Sequence, residues 1–185
     1  MVKKKACVFI SGTGNNLKAL IKSSRNYNFP ISIDYIISNT KKAKGIKLAK
    51  LYKIPYRILN LNKVISLESF LIDLKARNIS IICLAGYMKV LNKKFIYKFN
   101  KKIINIHPSL LPKYKGLNTY KRVLKEKEKL TGCTVHYVSD KLDSGKIILK
   151  KKVYIESNEN EETLKVKIQA KEYKAYSESI INIFR

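Results

Sequence analysis

At 185 residues, 45% of them hydrophobic, the chain is long enough to bury one sizeable core and reads as a single domain over 1–185. No apolar run approaches the roughly 20 residues a membrane span needs, and the run at 6–10 is too short for a signal-peptide core, so the expected location is the cytoplasm. The 39 Lys and Arg against 13 Asp and Glu give a net charge of +26, but only five of the basic residues are Arg and the lysines are spread along the whole length, which suits small anionic ligands and does not favour a nucleic-acid partner, whose specific contacts draw on the Arg fork.

In chain order, apolar strand-like runs alternate with amphipathic stretches. The run at 6–10 reads as a short buried strand, followed by Ser11-Gly-Thr-Gly-Asn-Asn16 and a helix to about Ser23. A second strand is expected at 31–37, a helix at 43–52 and a third strand at 56–59. A helix at 67–76 follows, then a fully apolar strand at 79–84, as a central strand covered on both faces requires. Another strand at 103–106 is stopped by Pro108. Beyond Leu130 the pattern changes: two β-rich runs, 133–138 and 147–155, are joined by a short polar connection and read as an antiparallel pair. The segment 161–184 reads as one long helix, with Leu164, Ile168, Tyr176 and Ile180 at helical spacing. The fold expected is α/β: a Rossmann-like open, mostly parallel sheet with helices on both faces and an antiparallel C-terminal strand pair. In such a sheet the chemistry belongs beyond the carboxyl ends of the strands.

Four motifs fall at such ends. Ser11-Gly-Thr-Gly-Asn-Asn16 is either a glycine turn that lets backbone N–H groups meet a phosphate, or an ordinary strand-to-helix turn with an Asn cap. Leu17 stands where a dinucleotide fingerprint needs a third glycine, which argues against NAD. In Asn105-Ile-His107-Pro108, residues two apart on a strand project to the same side, so an amide donor and an imidazole leave the sheet together. That pairing suits a carbonyl that becomes a tetrahedral oxyanion. Asp143, in Leu142-Asp-Ser-Gly145, is a turn former or a carboxylate that holds His107 and raises its pKa. His136, the second of only two histidines, reads as a core or supporting residue. Leu84-Ala-Gly-Tyr-Met-Lys-Val-Leu91 either lets a flat ligand approach the backbone or simply packs the next helix. Cys7, Cys83 and Cys133 are odd in number and sit in or beside apolar runs, so they read as buried thiols; no metal site is expected.

Taken in order, Ser11-Gly-x-Gly-x-Asn16, Leu84-Ala-Gly-Tyr-Met-x-x-Leu91, Asn105-Ile-His-Pro-Ser-Leu-Leu-Pro112, Gly132-x-Thr-Val-His136 and Leu142-Asp-x-Gly145 resemble the phosphoribosylglycinamide formyltransferases, over nearly the full chain. The resemblance implies His107 as general acid/base, Asn105 on the formyl oxygen and Asp143 sustaining a charged histidine. It implies that Gly14, Asn15 and Asn16 bind the phosphate of glycinamide ribonucleotide, with Gln169 and Glu172 nearby. It further implies that Lys63, Met88, Lys89, Val90, Leu91, Asn105 and the loop Ser139, Asp140, Lys141, Leu142 and Asp143 bind the folate. The co-substrate implied is 10-formyltetrahydrofolate, with no metal, no membrane partner, and a monomeric or homodimeric enzyme. Departures from the family pattern are Asn15 for a usual Ser, and Asn118 and Tyr120 for histidines found in some members.

Three rivals are weighed against this reading. Methionyl-tRNA formyltransferases carry a further C-terminal domain, for which a chain ending at Arg185 leaves no room, and an Arg-Gly-Ala-Ala-Pro-like loop where Lys115-Gly-Leu-Asn-Thr119 stands here. Formyltetrahydrofolate deformylases carry an N-terminal regulatory domain, whereas the first strand here begins within six residues of Met1. A non-catalytic RNA-binding protein would be indifferent to His107 and steeply salt-sensitive.

Overall fold

Each apolar run of the sequence becomes a strand because its β-branched residues pack well on a pleated surface. The computed structural model describes residues 2–59 and 64–185, so Lys63, expected at the folate, lies outside the described residues. The described strands form one seven-stranded sheet in the order β3-β2-β1-β4-β5-β6-β7. They are β1 (Lys4–Ile10), β2 (Ile31–Ser38), β3 (Tyr56–Ile58), β4 (Ile79–Leu84), β5 (Lys102–His107), β6 (Leu130–Tyr137) and β7 (Ile147–Tyr154). By backbone proximity the chain divides into two compact units, Met1–Ile104 with Phe184, and Asn105–Ile183 with Arg185.

In the first unit β1 runs parallel to both β2 and β4, and β2 parallel to β3. The chain steps outward from β1 to β3, then returns to the other side of β1 as β4. Right-handed crossovers put the helices of these two movements on opposite faces. The helices are α1 (Asn15–Ser24), α2 (Ile46–Leu51), α3 (Val64–Ala76) and α4 (Lys93–Phe99). Side chains alternate across β1, so Phe9 meets Phe70 of α3 and Phe95 of α4, at ring separations of 5.9 and 6.1 Å. Ile10 faces the other way, against Gly45 at the start of α2.

In the second unit β6 and β7 pair antiparallel, as expected. Helix α5 (Thr119–Lys125) lies between β5 and β6 in the chain, and α6 (Glu161–Phe184) closes it. The long helix buries Leu164, Ile168, Ala175, Tyr176 and Ile180 on one stripe. It starts on a reciprocal cap, in which the Asn160 side chain accepts from Glu162 and Thr163 N–H while Thr163 Oγ1 accepts from Asn160 N–H. No described helix is long and apolar enough to cross a membrane.

The differences from the sequence expectations are local. The helix expected over 43–52 is Ile46–Leu51, because the turn before it carries Gly45, whose N–H donates to Gly12 O at 3.1 Å. The sequence assigns no bounds to α4 or α5, each seven residues long, too short for a 3.6-residue period to stand out.

Candidate active site

The strand order reverses between β1 and β4, and the loops leaving these strands interlock at their carboxyl ends. Ser11 N–H donates to Gly86 O at 3.2 Å and Ala85 N–H to Phe9 O at 2.8 Å. The Ser11 hydroxyl donates to Asn39 Oδ1 at 2.6 Å and accepts from Met88 N–H at 2.8 Å. The first and fourth motifs are therefore one assembly at the switch point, where an open α/β sheet offers its binding crevice.

Gly14 caps α1 in the left-handed region, φ 82°, and no acidic residue lies in the first turn of that helix. A Cβ on Gly14 would stand 2.7 Å from Gly45 Cα. Only glycine serves here, since both the positive φ and the backbone approach exclude a side chain. Asn15 and Asn16 open the helix, whose N-terminus is suited to an anion. Gly14→Ala is expected to destabilise the protein by about 2 kcal/mol from the left-handed conformation alone, read as a lower urea midpoint. An unchanged midpoint would contradict the close approach.

In the second unit Asp143 joins the remaining predicted groups. Its Oδ2 lies 3.3 Å from His107 Nδ1 and accepts Gly116 N–H at 2.9 Å. Its Oδ1 accepts from Asn105 Nδ2 at 3.4 Å and stands 3.6 Å from His136 Nε2. Asn105 and His107 thus project to the same side of β5, as the two-residue spacing requires. Both Asp143 and His107 are buried, at 9% and 5% exposure, so the carboxylate is screened little from its neighbours. Asp143 itself has φ 45°, a conformation that Asp and Asn tolerate better than most residues. Gly145 follows because a Cβ there would fall 1.8 Å from Tyr137 O.

The two histidines take different tautomers. His107 Nε2 lies 2.7 Å from Tyr114 O. A carbonyl only accepts, so Nε2 carries the hydrogen and Nδ1, toward Asp143, is the nitrogen that takes up a proton. His136 Nδ1 likewise donates to Tyr137 O at 2.9 Å, leaving Nε2 to accept from Asn105 Nδ2 at 3.3 Å.

Burial lowers the His107 pKa below its usual value; Asp143 and the Tyr114 carbonyl raise it, but not enough to offset burial. The expected upward pull of Asp143 is present, while the net shift is downward, which corrects the expectation of a raised pKa. The resting ring is neutral near pH 7 and ready to accept a proton. Burial also pushes the Asp143 carboxyl up, but His136, the Gly116 N–H and His107, the two rings acting when they present a proton to it, outweigh burial and hold the group below the ordinary carboxylate range. The site is therefore a neutral base beside an anion, with an amide donor adjoining.

The other predicted residues are placed as follows. Met88 and Val90 are exposed apolar side chains at 63% and 67%, Lys89 is exposed, and Leu91 is buried. In the 139–143 loop the Ser139 hydroxyl donates to Lys141 O at 3.1 Å, Asp140 is half-buried and Leu142 is exposed. On α6, Glu172 is buried and Gln169 half-buried, and the Glu172 charge contributes to raising the pKa values of Tyr120 and Cys133, both raised chiefly by burial. Asn118 caps α5 with φ 55°. Sequence reasoning missed the Tyr114 carbonyl and the Gly116 N–H, which carry no side-chain signal. It also missed Gly45 and underweighted His136, whose signal was its rarity. Among the described residues no group of three or more His, Cys, Asp or Glu could hold a metal ion, and all three cysteines are buried and outside any disulfide.

Comparison with known proteins agrees with this architecture. The formyl transferase family profile matches residues 4–180. The chain is 39% identical to the phosphoribosylglycinamide formyltransferase of Haemophilus influenzae over 177 residues, covering 94% of this chain and 84% of that protein. It is 41% identical over 180 residues to the human trifunctional purine biosynthetic protein adenosine-3, covering 94% of this chain but spanning only 18% of that protein. The phosphoribosylglycinamide formyltransferase of Bacillus halodurans superposes with a TM-score of 0.90 at 33% identity, covering 97% of this chain and 95% of that one. With a profile match over residues 4–180 and relatives of this identity, the chain belongs to the formyl transferase family.

Proposed function

We propose that this chain transfers the formyl group of 10-formyltetrahydrofolate to the amine of glycinamide ribonucleotide, as one formyltransferase domain of the cytoplasm serving purine synthesis. The observation that carries the proposal is Asp143 drawing half-buried Asn105 and buried His107 into one cluster, in a chain that aligns along nearly its whole length with phosphoribosylglycinamide formyltransferases.

The geometry of the cluster and the family resemblance together support the following roles. The substrate amine attacks the formyl carbon, and the carbonyl electron pair moves to oxygen. Asn105 donates to that oxyanion; its present contacts of 3.3 and 3.4 Å are long enough to be exchanged for a shorter one. The amine proton passes to His107 Nδ1, and the imidazolium that forms is stabilised by Asp143 on one side and the Tyr114 carbonyl on the other. Collapse breaks the bond from the formyl carbon to the folate nitrogen, which recovers the proton from His107, giving tetrahydrofolate and the N-formyl product. Gly14, Asn15 and Asn16 bind the ribonucleotide phosphate, and Gln169 and Glu172 hold the rest of that substrate. Met88, Lys89, Val90 and Leu91 and the loop Ser139, Asp140, Lys141 and Leu142 bind the folate, and Lys63 is assigned with them.

A formyl-transfer assay offering glycinamide ribonucleotide, methionyl-tRNA and water as competing acceptors tests the proposal. Formylation of the ribonucleotide in large excess is expected. Preferential formylation of the tRNA, or release of formate, would overturn it in favour of the corresponding relative.

A further inference from the structure

The 113–116 loop supplies two backbone groups to the cluster: Tyr114 O accepts from His107 Nε2, and Gly116 N–H donates to Asp143 Oδ2. Nothing in the chemistry explains why this loop should be rigid, yet a misplacement of about 1 Å in such groups can change a rate by 10²-fold. Tyr114 has φ 57°, a conformation that is a true outlier for a bulky aromatic residue and persists only where the surroundings hold it.

The surroundings do hold it. The Tyr114 hydroxyl lies 2.6 Å from Glu126 Oε2 and 2.8 Å from Glu128 Oε1. A phenol has one hydrogen to donate, so it serves one carboxylate at a time. The Lys113 ammonium, 2.7 Å from Glu128 Oε1, balances the second, and Lys113 together with the phenol keeps the Glu128 carboxyl below its ordinary range. The Arg122 guanidinium stands over the Tyr114 ring at 5.4 Å and donates to Lys115 O at 2.7 Å. The Ser109 hydroxyl donates to Lys113 O at 2.6 Å. Glu126 closes the C-terminal end of α5, so the ring is tied to a helix end while its own backbone faces the histidine.

We propose that Tyr114, clamped through its hydroxyl by Glu126 and Glu128, is a positioning residue for formyl transfer, setting the 113–116 loop so that its carbonyl orients His107 and the Gly116 N–H orients Asp143. The proposal rests on the role given to His107 above. It concerns the phenol oxygen and two acids that touch neither reacting group.

The test compares Tyr114→Phe with the wild-type enzyme in kcat, KM for each substrate, thermal melting and the ¹⁵N resonances of the His107 ring. The expected result is a kcat lower by about tenfold, KM values little changed, and a displaced Nε2 resonance in a protein that still melts cooperatively. The double variant Glu126→Gln with Glu128→Gln keeps the ring and should repeat the kcat loss, which covers the case in which Tyr114→Phe does not fold. Wild-type kcat and an unmoved His107 resonance in a folded variant would overturn the proposal, leaving the clamp as a stability element. Were His107→Ala itself to keep full activity, the failure would lie with the role of His107 and not with the clamp.

Discussion

His107→Ala is expected to abolish nearly all formyl transfer while leaving the fold and ribonucleotide binding in place. His107 has an ordinary pKa that lets it take and return a proton near neutrality, and it is buried where water cannot readily substitute. Removing a positioned acid–base group typically slows a reaction by 10²–10⁴-fold. The ring ends a strand, and its two polar contacts are to a loop carbonyl and to Asp143, so truncation leaves the sheet intact. Single-turnover kinetics with isothermal titration of the ribonucleotide separates the two effects. A variant with near wild-type kcat would remove His107 from the mechanism.

Asp143→Asn carries the second large effect. Asn has the same shape and tolerates the φ of 45° at this position, so the turn survives, and its amide oxygen can still accept Gly116 N–H. The charge is lost. The imidazolium formed when His107 takes the amine proton is then left buried without its anion, and turnover is expected to fall by about 10²-fold. The sign of the pH effect follows from the same contact. Asp143 raises the His107 pKa against the downward pull of burial, so removing the charge lowers that pKa further. With the neutral ring as the proposed base, kcat/KM in the wild type is expected to rise with pH as His107 deprotonates, below its usual value of about 6.5. In Asp143→Asn this acid limb moves to still lower pH, while the plateau drops.

The parts of the molecule legible from sequence are those in which one physical cause dominates. The apolar runs at 6–10 and 79–84 have little alternative to a buried strand, and both stand in the sheet as expected. Asn105 and His107 were legible as a pair because a strand's two-residue period fixes their side, and they meet around one carboxylate. That this carboxylate is Asp143 came from the family pattern: a Leu-Asp-x-Gly turn by itself announces only a turn. Tertiary accidents of the backbone had no signal. The approach of Gly45 to Gly14, and the loop carbonyl of Tyr114 at His107, depend on groups that every residue carries. The net direction of the His107 pKa was likewise hidden, because a charge partner can be guessed from a motif while the depth of burial cannot.

One titration decides whether a neutral, buried His107 moves the proton with Asp143 stabilising its charged form. The His107 ring is followed by NMR from pH 4 to pH 9, roughly the span around a histidine's usual pKa, in the wild type and in Asp143→Asn, with kcat measured on the same samples. The account predicts a wild-type pKa below the usual histidine value, a lower one in Asp143→Asn, and a loss of turnover accompanying the shift. An unchanged pKa with unchanged kcat would contradict it and leave Asp143 as a residue of the turn.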